Sequence, residues 1–216
     1  MLATATAMAL LPIAAVQTVR ERAFDALLAI SAPRQSEVPI VVVDLDRASL
    51  AAAGATSVSR DQLADIIDRI AEAKPAVIAV DMLIEGHDER SPASLARRLA
   101  SVTNDAQVAA LIGRLPDADQ RLAQAIRKAP IVAGLVLDPD GAGTPLPPAP
   151  ILIRGMPELR DVWTAEGTIG PIEQIAEAAS GFGVIVMAAD PDGRIRTVPL
   201  VVREASQLRP SLALEA

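Results

Sequence analysis

Runs of consecutive aliphatic residues with an acidic residue at or near their end are the clearest feature of the hydrophobic pattern along the chain. Residues 38–46 form one such run and residues 76–84 form a second, and an amphipathic segment at residues 59–73 separates them. Apolar runs of this length are typical of strands that are buried on both faces of a sheet. The order strand, helix, strand therefore predicts a βαβ unit with two parallel strands and a right-handed connection.

Local signals predict most of the other elements. Ser59 and Gln62 form a capping box at the start of the helix at residues 59–73, and Pro75 follows its end. A strand at residues 131–137 is predicted to be another parallel neighbour in the sheet. Further helices are predicted at residues 20–30, 92–100, 105–112, 116–128 and 171–179.

The C-terminal part of the chain predicts a hairpin. Asp190-Pro191-Asp192-Gly193 fits a type I turn between strands at residues 184–187 and 195–202. The predicted fold class is therefore α/β, with a mixed, mainly parallel sheet flanked by helices and a C-terminal β-hairpin. The chain stops within a helix that begins at Ser211, so we expect a fragment that is truncated at its C-terminus.

The first 19 residues carry no charged side chain. A bilayer crossing needs about 20 apolar residues, so residues 1–19 predict a transmembrane helix whose beginning is incomplete. A signal peptide and a buried soluble helix are the alternatives for this segment. Residues 20–216 then form the predicted extracytoplasmic domain.

Composition excludes two classes of function. The net charge of -7 and an aromatic content of 1% argue against a nucleic-acid-binding protein, which needs a basic surface and stacking side chains. The absence of cysteine excludes a disulfide framework and a thiolate metal site.

Acidic residues follow the predicted strands and are the main candidates for a site. Asp44, Asp46 and Asp81 are expected near the carboxyl ends of neighbouring strands, where open α/β sheets bind ligands. Such a cluster of carboxylates would suit Mg²⁺ or Ca²⁺. The alternative is that each carboxylate accepts backbone N–H groups of a loop or a helix start.

The predicted hairpin carries a second candidate group. Asp192, Arg194 and Arg196 could bind an anionic ligand or could form the solvated face of one strand. His87 is the only histidine and has no partner at metal-ligand spacing, so we expect it in a solvated loop. No catalytic residue and no resident metal site are predicted.

Three blocks of sequence carry a family resemblance. They are residues 40–46 (IVVVDLD), 76–83 (AVIAVDML) and 181–216, the last with Asp190, Asp192, Gly193 and Arg196 around its turn. In order and spacing they resemble the second type of CHASE domain, the extracellular sensory domain of bacterial cyclases and histidine kinases. The resemblance covers residues 20–216.

The resemblance implies a non-enzymatic sensory module in a membrane-bound signalling protein of the inner membrane, with the sensor in the periplasm or outside the cell. It would relay an unknown signal to an output domain on the same chain, such as an adenylate or guanylate cyclase or a protein kinase. We expect it to act as a homodimer, with the membrane and a small molecule or envelope signal as partners.

Two other functions stay open from the residues alone. A strand that ends in Asp44-Leu45-Asp46 is also the first motif of haloacid-dehalogenase-like Mg²⁺-dependent phosphatases, in which the first acid is the nucleophile. That family expects threonine or valine where Ala48 stands. A secreted, soluble binding protein is the other alternative, and it requires cleavage of residues 1–19.

Overall fold

The computed structural model describes residues 13–31, 38–52, 54, 57–103, 106–141, 143, 146–152, 154, 162–185, 190 and 192–216. Contacts divide the chain into two units, residues 1–44 and 45–216. Each unit is described by itself.

The first unit contains helix α1, Ile13–Ile30, which includes the predicted helix at residues 20–30. Its apolar residues Val19 and Ile30 are 68% and 82% exposed. Residues 1–12 of the predicted membrane span lie outside the described residues. None of the helices in the described part of the chain has both the length and the apolar character of a bilayer crossing.

The predicted strand at residues 38–46 is wrong, because the structure has no strand there. Val41 and Val42 are 83% and 84% exposed, and the run has no ladder partner among the described residues. A preference for β structure depends on packing against cross-strand neighbours more than on the backbone of the residue itself. The apolar run therefore predicted a strand without specifying what it would pair with.

The second unit holds the remaining elements. The helices are α2 (Arg47–Ala52), α3 (Arg60–Glu72), α4 (Pro92–Thr103), α5 (Ala106–Ile112), α6 (Ala118–Ile126), α7 (Glu173–Ala176) and α8 (Leu212–Glu215). The strands are β1 (Ile78–Leu83), β2 (Ile131–Asp138), β3 (Thr164–Ala165), β4 (Gly167–Ile169), β5 (Gly181–Val184), β6 (Val201–Glu204) and β7 (Gln207–Pro210).

Two sheets form from these strands. In the first, β2 pairs in parallel with β1 and with β5, and β4 runs antiparallel to the end of β2. In the second, β3 pairs in parallel with β6, and β6 is antiparallel to β7. The mixed α/β class and the parallel pairing of residues 76–84 with residues 131–137 are therefore confirmed.

The C-terminal hairpin lies later in the chain than predicted. The amide of Gly193 donates to the carbonyl of Asp190 at 2.8 Å, so the predicted turn is present. However, β5 pairs with β2, residues 194–200 form no strand, and the strands that form the hairpin are β6 and β7. Turn chemistry is local and can be inferred from four residues, whereas the choice of strand partner depends on the whole sheet.

Helices α3, α6 and α7 cover the first sheet and form the main core. Leu122, Ile126 and Ile175 are at most 1% exposed, and they pack with Ile131 of β2 and Ile67 of α3. The capping box predicted at Ser59 is present, since Ser59 Oγ accepts from the amide of Gln62 at 3.2 Å and Gln62 Oε1 accepts from the amide of Ser59. A smaller core of Leu135, Val184 and Val202 joins the two sheets.

The exposure of residues 38–46 can be tested by substitution. Val42→Asp should change the free energy of unfolding by no more than about 0.5 kcal/mol, because a surface position tolerates charge. Val132→Asp is the control, since Val132 is 4% exposed in β2 and an unpaired buried carboxylate should cost about 3 kcal/mol or more. Urea unfolding of both variants measures the difference, and equal losses would mean that residues 38–46 pack as a strand.

Candidate functional site

A cavity of about 430 Å³ lies at the carboxyl ends of the parallel strands β1 and β2. The lining residues are Glu85, Gly86, Asp138, Gly143, Ile169, Gly170 and Ile172. This is the edge at which open α/β sheets bind ligands, because loops and helix starts converge there. We call this space the strand-edge cavity.

A second cavity of about 510 Å³ lies between Pro148–Ile151 and the β6–β7 hairpin. It is larger, but it is lined by a single hairpin and an irregular segment rather than by the ends of the parallel strands. Cavity size alone does not identify a ligand site. The strand-edge cavity is the better candidate, since both elements of the central parallel pair end beside it.

The loop after β1 forms one wall of the strand-edge cavity. Gly86 has a φ of +62°, a left-handed conformation that other residues rarely adopt. The carbonyls of Glu85 and Gly86 accept hydrogen bonds from Nη2 of Arg60, at 3.0 and 2.5 Å. The guanidinium of Arg60, at the start of α3, therefore fixes this wall.

Asp119 completes this anchor from α6. Its side chain is 2% exposed, and its Oδ1 is ion-paired with Nη1 of Arg60. The other oxygen lies 2.9 Å from Nδ1 of His87, and the amide of Asp88 donates to both oxygens at 3.1 and 3.3 Å. Each oxygen of this buried carboxylate thus has partners, which is what a buried charge requires.

Helix starts explain why these groups meet. Arg60 is the first residue of α3, after the cap at Ser59. Asp119 lies in the first turn of α6, after Asp117, which caps that helix through the amides of Asp119 and Gln120. The N-terminal end of a helix favours a carboxylate because its amides carry partial positive charge.

A second buried ion pair fixes the opposite wall. Glu204 Oε2 accepts from Nε of Arg209 at 2.5 Å, and its Oε1 accepts from the Thr168 hydroxyl at 2.5 Å. Arg209 is 2% exposed and also donates to the carbonyls of Leu146 and Pro147. Thr168 precedes the cavity residues Ile169 and Gly170, so this network holds β4 in place.

Gly143 reaches the same wall only because it lacks a side chain. A Cβ at this position would overlap the carbonyl of Thr168 in β4. Gly143 can therefore lie directly against β4 at the wall of the cavity.

Of the acids predicted from the first two runs, Asp46 and Asp81 lie in the second unit, and neither is among the lining residues of the cavity that the structure describes. Asp44 and Asp81 are exposed. Asp46 accepts hydrogen bonds from the hydroxyl and the amide of Ser49, at 2.6 and 2.7 Å, and these bonds lower its pKa. Asp46 therefore caps the start of α2, as the alternative interpretation of these acids expected.

Asp192 and Arg196 meet at the predicted turn. Arg196 donates to both carboxylate oxygens of Asp192, at 3.0 and 2.7 Å, and to Asp190 at 2.7 Å. The side chain of Arg196 is 8% exposed, whereas that of Arg194 is 66% exposed. This group stabilises a turn, and it does not include a lining residue of the strand-edge cavity.

Metal ligation is not supported by any trio of side chains. Within the described ranges, no three acidic or histidine side chains are grouped closely enough to hold a metal ion. The expectation of Mg²⁺ or Ca²⁺ at the strand-end acids remains a prediction.

Sequence reasoning missed the residues that build this site. Asp138 directly follows the apolar run at residues 131–137, which is the signal that selected Asp46 and Asp81. However, the stretch rich in proline and glycine at residues 138–150 favours a loop there, so the sequence alone does not single out Asp138. The Arg60–Asp119 contact joins residues 59 positions apart, and no local pattern predicts it.

Comparison with known proteins gives one family. The model of the CHASE2 domain matches residues 2–216. No curated protein and no solved structure matches the chain significantly.

Substitution of Arg60 should destabilise the protein much more than substitution of a surface arginine between the same helices. Arg60→Ala leaves Asp119 buried without its counter-charge, and we expect a loss of about 3–5 kcal/mol in the free energy of unfolding. Arg121→Ala is the control, because Arg121 pairs with Asp65 and Asp68 at the surface, where a pair contributes about 0–1 kcal/mol. Urea unfolding measures both. Equal small losses would show that the Arg60–Asp119 pair does not anchor the loop.

The turn at Asp192 should respond to acid in a defined range. The hydrogen bonds from Arg196, and then from the amide of Arg194, lower the pKa of Asp192 from 3.8 to about 2. A lowered pKa contributes stability above the ordinary pKa, and this contribution is lost as the pH falls from about 4 towards about 2. Carbon NMR of the Asp192 carboxyl should titrate near pH 2 in the native chain and closer to 3.8 in Arg196→Gln. A titration near 3.8 in both proteins would contradict the pairing.

Proposed function

We propose that this chain, which belongs to the CHASE2 domain family of extracellular sensory domains, is the extracytoplasmic sensory module of a membrane-bound signal-transduction protein. It would bind a small molecule in the strand-edge cavity and relay the signal to a cytoplasmic output domain on the same protein, such as an adenylate cyclase or a protein kinase. The observation that carries this proposal is a cavity whose two walls are fixed by separate buried ion pairs.

The separate anchoring of the two walls supports a sensory role. One wall is attached to α3 and α6 through Arg60 and Asp119, and the other to the second sheet through Glu204 and Arg209. A ligand that contacts both walls would favour one arrangement of these two parts. A ligand shifts a conformational equilibrium only if it binds one arrangement better than the other.

The same features favour a sensory module over the alternatives. Asp46 accepts two hydrogen bonds from Ser49 as a helix cap, which weighs against its use as the second acid of a phosphatase. A secreted binding protein would use the same cavity and would differ in lacking membrane attachment. A homodimer in the membrane remains part of our proposal, because a symmetric pair can transmit a change in domain packing to paired output domains.

The location of the domain can be tested with its lysines. Lys74 and Lys128 are the only lysines, and both are exposed. A membrane-impermeant amine reagent should therefore label both in spheroplasts with an intact inner membrane, as detected by peptide mass spectrometry. Lys74→Arg with Lys128→Arg is the matched control, because it preserves charge and removes both labelled peptides.

Two outcomes would separate the hypotheses. Labelling only after lysis would place the domain in the cytoplasm and would refute an extracytoplasmic sensor. If the lysines are labelled but alkaline extraction releases the whole protein from the membrane fraction, the secreted binding protein replaces the membrane-bound sensor.

A further inference from the structure

We infer that the loop after β1 is a pH-sensitive wall of the strand-edge cavity, and that the protonated ring of His87 holds this loop on the carboxylate of Asp119. The inference rests on the proposed function, since it names a form of regulation for the same cavity. A fall in pH outside the cytoplasm would strengthen the attachment of the wall, and a rise in pH would weaken it.

The sequence limits which side chain can respond to such a change. The chain has one histidine and no cysteine. Histidine is the side chain that ordinarily changes its charge between about pH 5 and pH 8. A response of the loop in this range is therefore expected to depend on His87, because the sequence has no second imidazole and no thiol.

The ring of His87 connects a solvent-accessible position to a buried carboxylate. Its side chain is 71% exposed, whereas that of Asp119 is 2% exposed, and His87 Nδ1 lies 2.9 Å from Asp119 Oδ2. The ring can therefore exchange a proton with water, while its partner is shielded from water. Dissolved ions screen a partly buried ion pair much less than one between two exposed side chains.

The charge of the ring decides the strength of this contact. The protonated ring has a hydrogen on both nitrogens and a positive charge, so it donates a charge-assisted hydrogen bond to Asp119. The neutral ring has one hydrogen. When that hydrogen is on Nε2, the bare Nδ1 faces the carboxylate as a second acceptor. Loss of the proton therefore weakens the attachment of the loop to α6.

The charged groups on the neighbouring elements favour the protonated ring. Arg60 faces the same carboxylate from α3, but it pairs with the other oxygen, Oδ1. Negative charge is concentrated beside it, since burial, and then the charges of Asp88 and Asp65, raise the pKa of Asp61. The other charged residues here are Glu85, Glu89 and Arg90 in the loop, Asp117 of α6, and Arg97 of α4, which pairs with Asp117.

The position of this loop bears directly on the cavity. Glu85 and Gly86 line the cavity, and His87 is the next residue. A Cβ at Gly86 would meet no heavy atom within 4 Å, so side-chain packing does not fix the loop at this residue. Polar contacts hold it instead, from Arg60, from the amide of Asp88 and from His87. The first two donors keep their hydrogens across this pH range, so His87 is the contact that changes.

Amide hydrogen exchange of the full chain measures the effect. The reporter is the amide of Asp88, because it donates to both oxygens of Asp119. After correction for the intrinsic effect of pH on exchange, its protection should be about two- to fivefold higher at about pH 5.5 than at about pH 7.5, as expected for an ion pair with one exposed partner. The amide of Leu63, which donates to the carbonyl of Ser59 at 2.9 Å, is the internal reference and should change much less.

Two substitutions of His87 separate the effect of charge from that of the side chain itself. His87→Gln does not titrate, so the protection of the Asp88 amide should be equal at both pH values. His87→Arg keeps a cation at this exposed position, so the protection should be high at both. Glu89→Gln is the matched control and should keep the pH response, because Glu89 lies in the same loop, is 82% exposed and pairs with Arg98.

Failure of this inference is distinguishable from failure of the proposed function. Equal protection of the Asp88 amide at both pH values in the native chain, or an equal change in His87→Gln, would overturn the inference. The proposed function would survive that result, because lysine labelling tests the location of the domain independently. If the Asp88 amide follows His87 but the lysines are labelled only after lysis, the pH-sensitive loop stands and the extracytoplasmic sensor fails.

Discussion

The ion pair between Arg60 and Asp119 is the interaction on which the site depends most. It joins the first turns of α3 and α6, and the other contacts that the described residues make between these helices are apolar core contacts and surface ion pairs. The remaining donors of Arg60 hold the carbonyls of Glu85 and Gly86, so one guanidinium links two helices and a cavity wall. Without it, the loop after β1 would keep its hydrogen bonds to Asp119 from His87 and from the amide of Asp88, but it would lose its attachment to α3 through Arg60.

A buried ion pair is an inefficient way to stabilise a fold. The desolvation of both charges offsets most of their attraction, and well-packed apolar residues often stabilise as much or more. The pair instead adds geometric specificity, because the planar guanidinium can donate hydrogen bonds to oxygen atoms in only a few arrangements. The Glu204–Arg209 pair has the same character and fixes β4 through Thr168. Both pairs lie beside the strand-edge cavity, where precise positions matter more than net stability.

Much of the fold was predictable because its signals are local. The capping box at Ser59, the turn at Asp190 and the helices from α3 to α6 follow from residues a few positions apart. Strand pairing was harder to predict, because it is decided by distant neighbours. Residues 38–46 have a stronger β pattern than β3, β4 or β7, yet these short strands pair in the sheets, and in the described part of the chain no strand forms at residues 39–46. An apolar, β-branched run therefore indicates a tendency to form a strand. Whether the strand forms depends on whether a neighbouring strand is available to pair with it.

The candidate site illustrates the same limit. The rule that acids at strand ends mark a ligand crevice pointed to the edge of the sheet where the cavity lies, but it selected Asp46 and Asp81, whereas the cavity is lined by Glu85 and Asp138. Helix starts and turns lie at the same edge, and their unpaired amides compete for carboxylates, as Asp46 shows by capping α2 and Asp119 by lying in the first turn of α6. An acidic residue whose carboxylate oxygens accept these amide hydrogen bonds has a structural role. Position distinguishes Asp138 from these acids, because it is the last residue of β2 and lines the cavity, and only the folded chain shows this.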